Sequence, residues 1–287
     1  MPKKGKQQKK ARKARGGAGG AGGAEAETST FPTGFQNYGN TCYLNSVIQL
    51  LLLNPEFNPE GVRGKSDAIK RIKDELGLFS HIFNDSKQHD AGEALMAIMN
   101  IYYKKRQLKL FQYQLEEETT TICSSYCYRE TISRKTSSLL LDVSGKTLQS
   151  CYQKSVETFS IEREQNCEEC KSTTATKTVS FTKKPKWLII GLKRFTQVKK
   201  GRKFISAKDD RDIEIPFEWD LDTCKYQLCG SILHLGDLEA GHYVCIGKKE
   251  ELNKWFYFDD SVVSEITDET QLKNYLNKSY YFLYKAI

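Results

Sequence analysis

The chain has 287 residues, 39% of them hydrophobic and 11% aromatic, which is too much core-forming material for a disulfide miniprotein or a wholly disordered chain. Of its 44 bases and 36 acids, eight bases (Lys3, Lys4, Lys6, Lys9, Lys10, Arg12, Lys13, Arg15) and two acids (Glu25, Glu27) fall in residues 1–30, leaving 36 against 34 in the remainder; the net charge of +8 is therefore mostly a property of an Ala/Gly-rich leader, and composition excludes a nucleic-acid-gripping globular part. No run approaches the roughly 18 apolar residues of a membrane span, no apolar segment follows the leader's charges, and the nine cysteines are an odd number, so the expectation is a protein of nucleus or cytoplasm with no membrane contact and no disulfide framework.

The leader, to about Thr30, lacks an apolar face and is expected to be disordered, with structure starting near Phe31. In GNTCYLNSVIQLLL, Leu44, Val47, Ile48 and Leu51 recur at helical spacing, so a helix is predicted to start at Cys42 and to stop at Asn54-Pro55. A second helix is predicted from Ser66 as N-cap through Ile69, Ile72, Leu76, Phe79 and Phe83, carrying His81. A third follows QHDAGEALMAIMNIYY, with Leu95, Ile98, Met99 and Tyr102 on one face.

After about Leu110 the pattern turns to short alternating runs rich in Thr, Tyr, Phe and Val. Strands are predicted over Phe111 to Leu115, Leu139 to Val143, Thr176 to Phe181, Trp187 to Phe195, Tyr226 to Leu235, Tyr243 to Ile246, Trp255 to Phe258 and Tyr280 to Tyr284, with one short helix from Thr147 to Val156. Helices first and strands afterwards, without alternation, point to an α+β fold with a mainly antiparallel sheet. No internal repeat stands out.

Cys42 falls at a predicted helix start, where free amides and the positive dipole end favour a thiolate. Position alone leaves it open whether this cysteine reacts or merely packs. Among four histidines, His81 lies on the second helix, His89 lies beside Asp90, and His234 sits among strand residues where a packing role is expected. His242 differs, lying in EAGHYVCIG at a strand entry after a glycine-containing loop, with the acid-terminated strand WFYFDD beginning thirteen residues later. A cysteine, a histidine and a carboxylate are the parts of a nucleophile, base and orienter, which residue types alone do not establish as one site.

Seven segments then carry a resemblance. FQNYGNTCYLNSVIQLLL resembles the cysteine box of the ubiquitin-specific proteases, QHDAGEAL resembles their Gln-Asp block, and LHLGDLEAGHYVCIG with WFYFDDSVV resembles their histidine box. LIIGLKRF, preceded by CEECKSTTATKTVSF and followed by DIEIPFEWDL, is similar to the segments leading into their palm. The blocks stand in family order from Phe31 to Tyr284.

The resemblance implies a papain-like fold of thumb (about 31–110), fingers (about 111–180) and palm (about 181–287) behind the leader 1–30. It implies hydrolysis of the isopeptide or peptide bond after ubiquitin's C-terminal glycine, with Cys42 as nucleophile, His242 as base, Asp259 as its orienting acid and Asn37 as an oxyanion-stabilising amide. Gln88, Asp90, Glu93 and Tyr243 would lie along the channel for ubiquitin's C-terminal tail. Asp260 would be an auxiliary polar group near the oxyanion or tail. Some of these residues have a plainer structural role as well: Asn37 also suits a turn, and Asp90 and Glu93 also suit a helix start.

The choice between the two acids has its own argument. If Tyr243 to Ile246 and Trp255 to Phe258 form an antiparallel hairpin with Ile246 opposite Trp255, then His242 lies opposite Asp259, and every register of that parity keeps Asp259 on the histidine's face.

Cys123/Cys127 and Cys167/Cys170 are two close pairs that could close on one ion as a four-thiolate, structural zinc site. Many members of the family carry such a site at the fingertips, although the first pair here, CSSYC, has three intervening residues where the family usually has two. Cys151, Cys224, Cys229 and Cys245 are assigned to packing. The partners implied are ubiquitin and its conjugates, accessory subunits that choose substrates, and an import receptor or nucleic acid at the leader. The rival readings are a non-catalytic ubiquitin-binding scaffold on the same fold and a basic-tail adaptor on RNA or chromatin.

Overall fold

In the computed structural model the described residues are 32–57, 67–105, 113–162, 166–200, 203–237 and 241–287. The leader, the Ser66 N-cap and the first residues of the strand predicted from Phe111 lie outside them. Helix α1 (Cys42–Leu51) forms as its periodicity demands, and all ten of its residues are buried. Helix α2 spans Ala68–Phe79 and buries Ile69, Ile72 and Leu76. It is shorter than predicted: Ser80 turns extended and His81–Phe83 form a separate 3-10 turn, so Phe83 reaches the core by a bend rather than along a helix face. Phe79 is left 42% exposed and His81 is not on the helix. Helix α3 (Ala91–Lys104) buries Leu95, Ile98, Met99 and Tyr102, and the Asp90 side chain caps it by accepting from the Glu93 amide.

The chain continues through β1 (Leu115–Cys123), β2 (Arg129–Thr136), β3 (Leu139–Leu141), α4 (Leu148–Val156), β4 (Phe159–Glu162) and β5 (Thr174–Lys183). It then forms β6 (Trp187–Leu192), the hairpin β7 (Phe195–Lys200) and β8 (Lys203–Lys208), β9 (Glu218–Leu221) and β10 (Cys224–Gly236). The last elements are β11 (Gly241–Lys249), β12 (Lys254–Asp259), β13 (Val262–Ile266), α5 (Glu269–Lys278) and β14 (Tyr281–Ala286). A four-stranded sheet has the order β2-β1-β5-β4, all antiparallel. An eight-stranded sheet has the order β13-β12-β11-β10-β14-β6-β3 with β9 paired to β10, and only β3 runs parallel to its neighbour among these pairs. The α+β expectation holds, and no helix among the described residues is long and apolar enough to cross a membrane.

The larger sheet divides the core by strand alternation. Tyr243, Cys245, Phe256, Phe258 and Ile232 join the residues of α1 and α3 on one side. Val244, Ile246, Leu233, Leu228 and Phe282 join Leu148 of α4 and Leu272 and Leu276 of α5 on the other. Sheet residues one apart in sequence thus serve different cores.

Several elements were not foreseen. No residue of β2 is fully buried, so RETISRKT carries no apolar alternation to read. Helix α5 buries only Leu272 and Leu276 and owes its start to Asp268, which accepts from the amides of Thr270 and Gln271. The strand predicted from Trp187 to Phe195 ends at Leu192, because the chain turns around Arg194. That buried guanidinium donates to the carbonyls of Ser279, Asp209, Arg211 and Asn277.

A candidate active site

At the head of α1 the chain makes a left-handed turn through Gly39 (φ 87°) and Asn40 (φ 57°). Asn37 organises it: its Oδ1 accepts from the Gly39 amide (3.0 Å), the Thr41 amide (3.1 Å) and the Thr41 hydroxyl (3.2 Å). The side-chain oxygen thus makes the turn, while the amide nitrogen donates to Asp260. Cys42 follows as the first helical residue, 3% exposed. Burial raises its thiol above the usual range and Asp260 adds to this, against donors from the Tyr243 backbone, the Gln88 side chain and the Tyr43 backbone.

His242 and Asp259 arrive together on β11 and β12. The observed register pairs Ile246 with Tyr257 and Lys248 with Trp255, two residues away from the predicted one. The shift follows from β11 running on to Lys249, after which a single turn, Glu250–Leu252, and left-handed Asn253 (φ 50°) bring the chain back. A slip of two preserves the side-chain face. Asp259 therefore stays on the face of His242, and its Oδ1 lies 2.6 Å from His242 Nε2. With Nε2 engaged, Nδ1 is the nitrogen left to act as a base. Among the described residues no hydrogen bond joins Cys42 to His242.

Asp260 sits in the two-residue turn between β12 and β13 at φ 51°. It has a carboxylate oxygen within 4.8 Å of a His242 ring nitrogen and of an Asp259 carboxylate oxygen. Its Oδ2 accepts from Asn37 Nδ2 (2.8 Å), its Oδ1 from Asn45 Nδ2 (2.7 Å), and its carbonyl from the Phe35 amide (2.8 Å). A Cβ at Gly34 would lie 2.2 Å from that carbonyl oxygen, so the segment before α1 can approach the turn only without a side chain there. Asn45, 2% exposed and one helical turn after Cys42, was not singled out from the sequence. Its signal was weak, because Ser46 and Gln49 are also buried polar residues of the same helix.

A cleft of about 990 Å³ opens beside these groups, lined by Gln88, Asp90, Glu93, Tyr243, Phe195 and His234 among others. Burial raises the Asp90 carboxyl above its ordinary range. His234 is buried as expected, its ring 4.6 Å from that of Tyr243 and 5.4 Å from that of Phe195, and burial pushes its pKa down to about 4.

Far from this cleft, at the end of β1 and before β5, the four paired cysteines converge. Cys123 Sγ lies 3.1 Å from Cys170 Sγ and Cys127 Sγ lies 3.4 Å from Cys167 Sγ, and all four sulfurs lie within 4.8 Å of one another. Four thiolates around zinc are about 3.8 Å apart when each Zn–S bond is about 2.3 Å, so the set fits one tetrahedral ion. The extra residue of the first pair is absorbed by left-handed Tyr126 (φ 57°), immediately before Cys127. The Cys170 amide holds the Cys167 thiol below its usual range, while hydrogen bonding to the Cys170 thiol raises that of Cys127. Of the other cysteines, Cys151, Cys229 and Cys245 are buried and Cys224 is half-buried.

The sequence matches the ubiquitin carboxyl-terminal hydrolase family in two overlapping segments, residues 33–76 and 63–284. The chain belongs to that family. Similar proteins include the probable ubiquitin carboxyl-terminal hydrolase 8 of Schizosaccharomyces pombe, 24% identical over 84% of this chain and 62% of its own length. Ubiquitin carboxyl-terminal hydrolase 16 of Arabidopsis thaliana is 26% identical over 89% of this chain and 30% of its own length, so the chain spans less than two thirds of these relatives. Among solved structures, the SAGA DUB module Ubp8/Sgf11/Sus1/Sgf73 bound to monoubiquitin has a chain with a TM-score of 0.75 and 22% identity, covering 89% of this chain and 69% of that one. The same module bound to ubiquitin aldehyde gives 0.73 at 24% identity, covering 89% and 70%. These likenesses establish a shared fold.

Proposed function

We propose that this family member is a thiol-dependent deubiquitinase that hydrolyses the isopeptide or peptide bond following ubiquitin's C-terminal glycine. The observation that carries this reading is the 2.6 Å contact of His242 Nε2 with Asp259, two strands brought together so that the imidazole's other nitrogen is free, in a chain whose α1 starts on a cysteine. His242 Nδ1 takes the Cys42 proton, and the sulfur attacks the glycine carbonyl carbon. The C–N bond breaks as the imidazolium protonates the leaving amine, and water deprotonated by His242 then hydrolyses the thioester. Asp259 holds the ring and stabilises its charged form. Closure of the Cys42–His242 pair belongs to the substrate complex, since catalytic hydrogen bonds commonly tighten only there.

Asn37 Nδ2 has a second hydrogen beyond the one given to Asp260, and this serves the oxyanion. Asp90, Glu93 and Tyr243 face the cleft that receives the tail, where carboxylates attract basic tail residues. Cys123, Cys127, Cys167 and Cys170 would hold a structural zinc, which supplies folding energy rather than chemistry. Accessory subunits that select substrates, a nuclear or cytoplasmic site of action, and an import-receptor or nucleic-acid contact of residues 1–30 complete the proposal; the family's solved Ubp8 chain is itself held in a four-component module.

The test is a ubiquitin probe carrying a C-terminal electrophile. The protein should be labelled on Cys42, while Cys42→Ala should abolish labelling and turnover yet still bind ubiquitin. Ubiquitin binding without labelling or turnover by the unaltered protein would favour the scaffold reading instead.

A further inference from the structure

Gln88 lines the cleft, yet its amide nitrogen is engaged by two groups of the protein. One hydrogen of Nε2 is given to the carbonyl of Gly241 (2.8 Å), the residue before His242, and Nε2 lies 3.3 Å from Cys42 Sγ. The side chain thus bridges the loop before α3, the nucleophile on α1 and the start of the strand that bears the base. Its nitrogen is held by one neighbour and directed at another.

We propose that Gln88 is a catalytic residue that manages charge at the nucleophile, rather than a contact for the ubiquitin tail. The proposal rests on the reading of Cys42 as nucleophile. Sγ is buried and near the Asp260 carboxylate, two influences that oppose ionisation, and Gln88 with the Tyr243 backbone amide supplies donors that oppose them. When Sγ bonds to the carbonyl carbon, the π pair moves to oxygen and the negative charge passes from sulfur to an atom two bonds away. A donor 3.3 Å from sulfur is then within reach of that oxygen, and the Gly241 carbonyl keeps the nitrogen in place while the charge moves. No reorganisation is needed at the moment of reaction, which is the condition for effective electrostatic stabilisation. The charge returns to sulfur when the thioester is hydrolysed, and the same N–H receives it.

The experiment uses the full chain with Gln88→Ala and Gln88→Met, the second keeping length and volume without a donor. Steady-state turnover of ubiquitin bearing a C-terminal fluorogenic amide is measured alongside the pH profile of Cys42 alkylation by iodoacetamide. Asp260, Tyr43 and Tyr243 are among the titratable groups acting electrostatically with the thiol, and His242 and Asp259 complete the centre; all are unchanged in both variants. Both variants should lose about 10²-fold in kcat with KM nearly unchanged, and the alkylation midpoint should move to higher pH. A raised KM with kcat intact would assign Gln88 to the tail channel and overturn the proposal. An unchanged alkylation profile would overturn it too, even with reduced kcat, because a strap between loop and strand affects geometry without tuning the thiol. Ubiquitin affinity and thermal melting identify a variant that has lost its fold, and Gln88→Met then carries the test. If the unaltered protein shows neither labelling nor turnover, it is the deubiquitinase reading that falls.

Discussion

Two asparagines and one aspartate hold the head of α1 to the β12–β13 turn, and this connection makes a specific demand on mutagenesis. Asn37→Ala should lower kcat by about 10²-fold with little change in ubiquitin affinity, since its donor acts on transition-state charge. Asp260→Ala should lower kcat in the same way, because Asp260 accepts from Asn37 and Asn45 at 2.8 and 2.7 Å. Residues acting through one network are non-additive, so the double variant should be little worse than Asn37→Ala alone; strictly additive losses, measured by steady-state kinetics, would separate the two. Asp90 supplies a pH argument. Its folded carboxyl is raised by burial, so its contribution favours the fold at pH below the unfolded value and is lost as pH rises through the raised folded one. At neutral pH the buried charge is a cost to the fold. Asn can still cap a helix, and Asp90→Asn should therefore raise the melting temperature at pH 7 while weakening ubiquitin binding. A lowered melting temperature would show that the charge is well compensated in place.

The turn before α1 and the β11–β12 hairpin show how much of the site is made by short elements. Gly39 takes φ 87° with nothing within 4 Å of a hypothetical Cβ, so Gly39→Ala meets a conformational penalty of about 1 kcal/mol and no clash. Because the Gly39 amide is one of the donors to Asn37, the loss should appear in both the melting temperature and kcat. A variant with full turnover would mean that Thr41 alone holds the asparagine. In the hairpin, parity matters more than exact register: a two-residue shift left Asp259 beside His242, whereas a one-residue slip would have moved Asp259 to the opposite face. The same logic explains α4, whose Thr147 and Ser150 cap one another, and α5, held by Asp268. Both rely on polar caps more than on long apolar stripes.

Over the whole chain, burial is uneven. The eight-stranded sheet has cores on both faces, whereas β2 contributes no buried residue to the four-stranded sheet, at whose end the four cysteines meet. Chelation of zinc should therefore loosen that sheet and weaken ubiquitin engagement before it changes alkylation of Cys42. The measurement is metal content by elemental analysis, ubiquitin affinity and thiol reactivity at increasing chelator. Protein purified without added metal and lacking zinc would remove the metal from the description. Equal and simultaneous loss of binding and thiol reactivity would mean instead that the two sheets unfold together.

Strong periodicity and residue type made α1, α3, α4 and the hydrophobic strands β6, β10, β11 and β12 legible in the sequence, together with the candidate cysteine, histidine and carboxylates. These elements carry dense apolar runs or apolar residues at helical spacing, which is a local pattern. Other features had no local pattern to show. β2 is solvent-facing, α5 buries two leucines, and α2 stops at Phe79 because Ser80 bends the chain toward the core. Parity follows from alternation along a strand, but register depends on where a turn closes, and here the one-turn connection after Lys249 decided it. Tertiary structure alone disclosed that Asp260 joins Asn37 to Asn45 and that Gln88 lies against the sulfur of Cys42, because each contact joins segments 46 to 223 residues apart. Hydrogen bonds of that span depend on how packed elements meet in space, which no periodicity along the chain encodes.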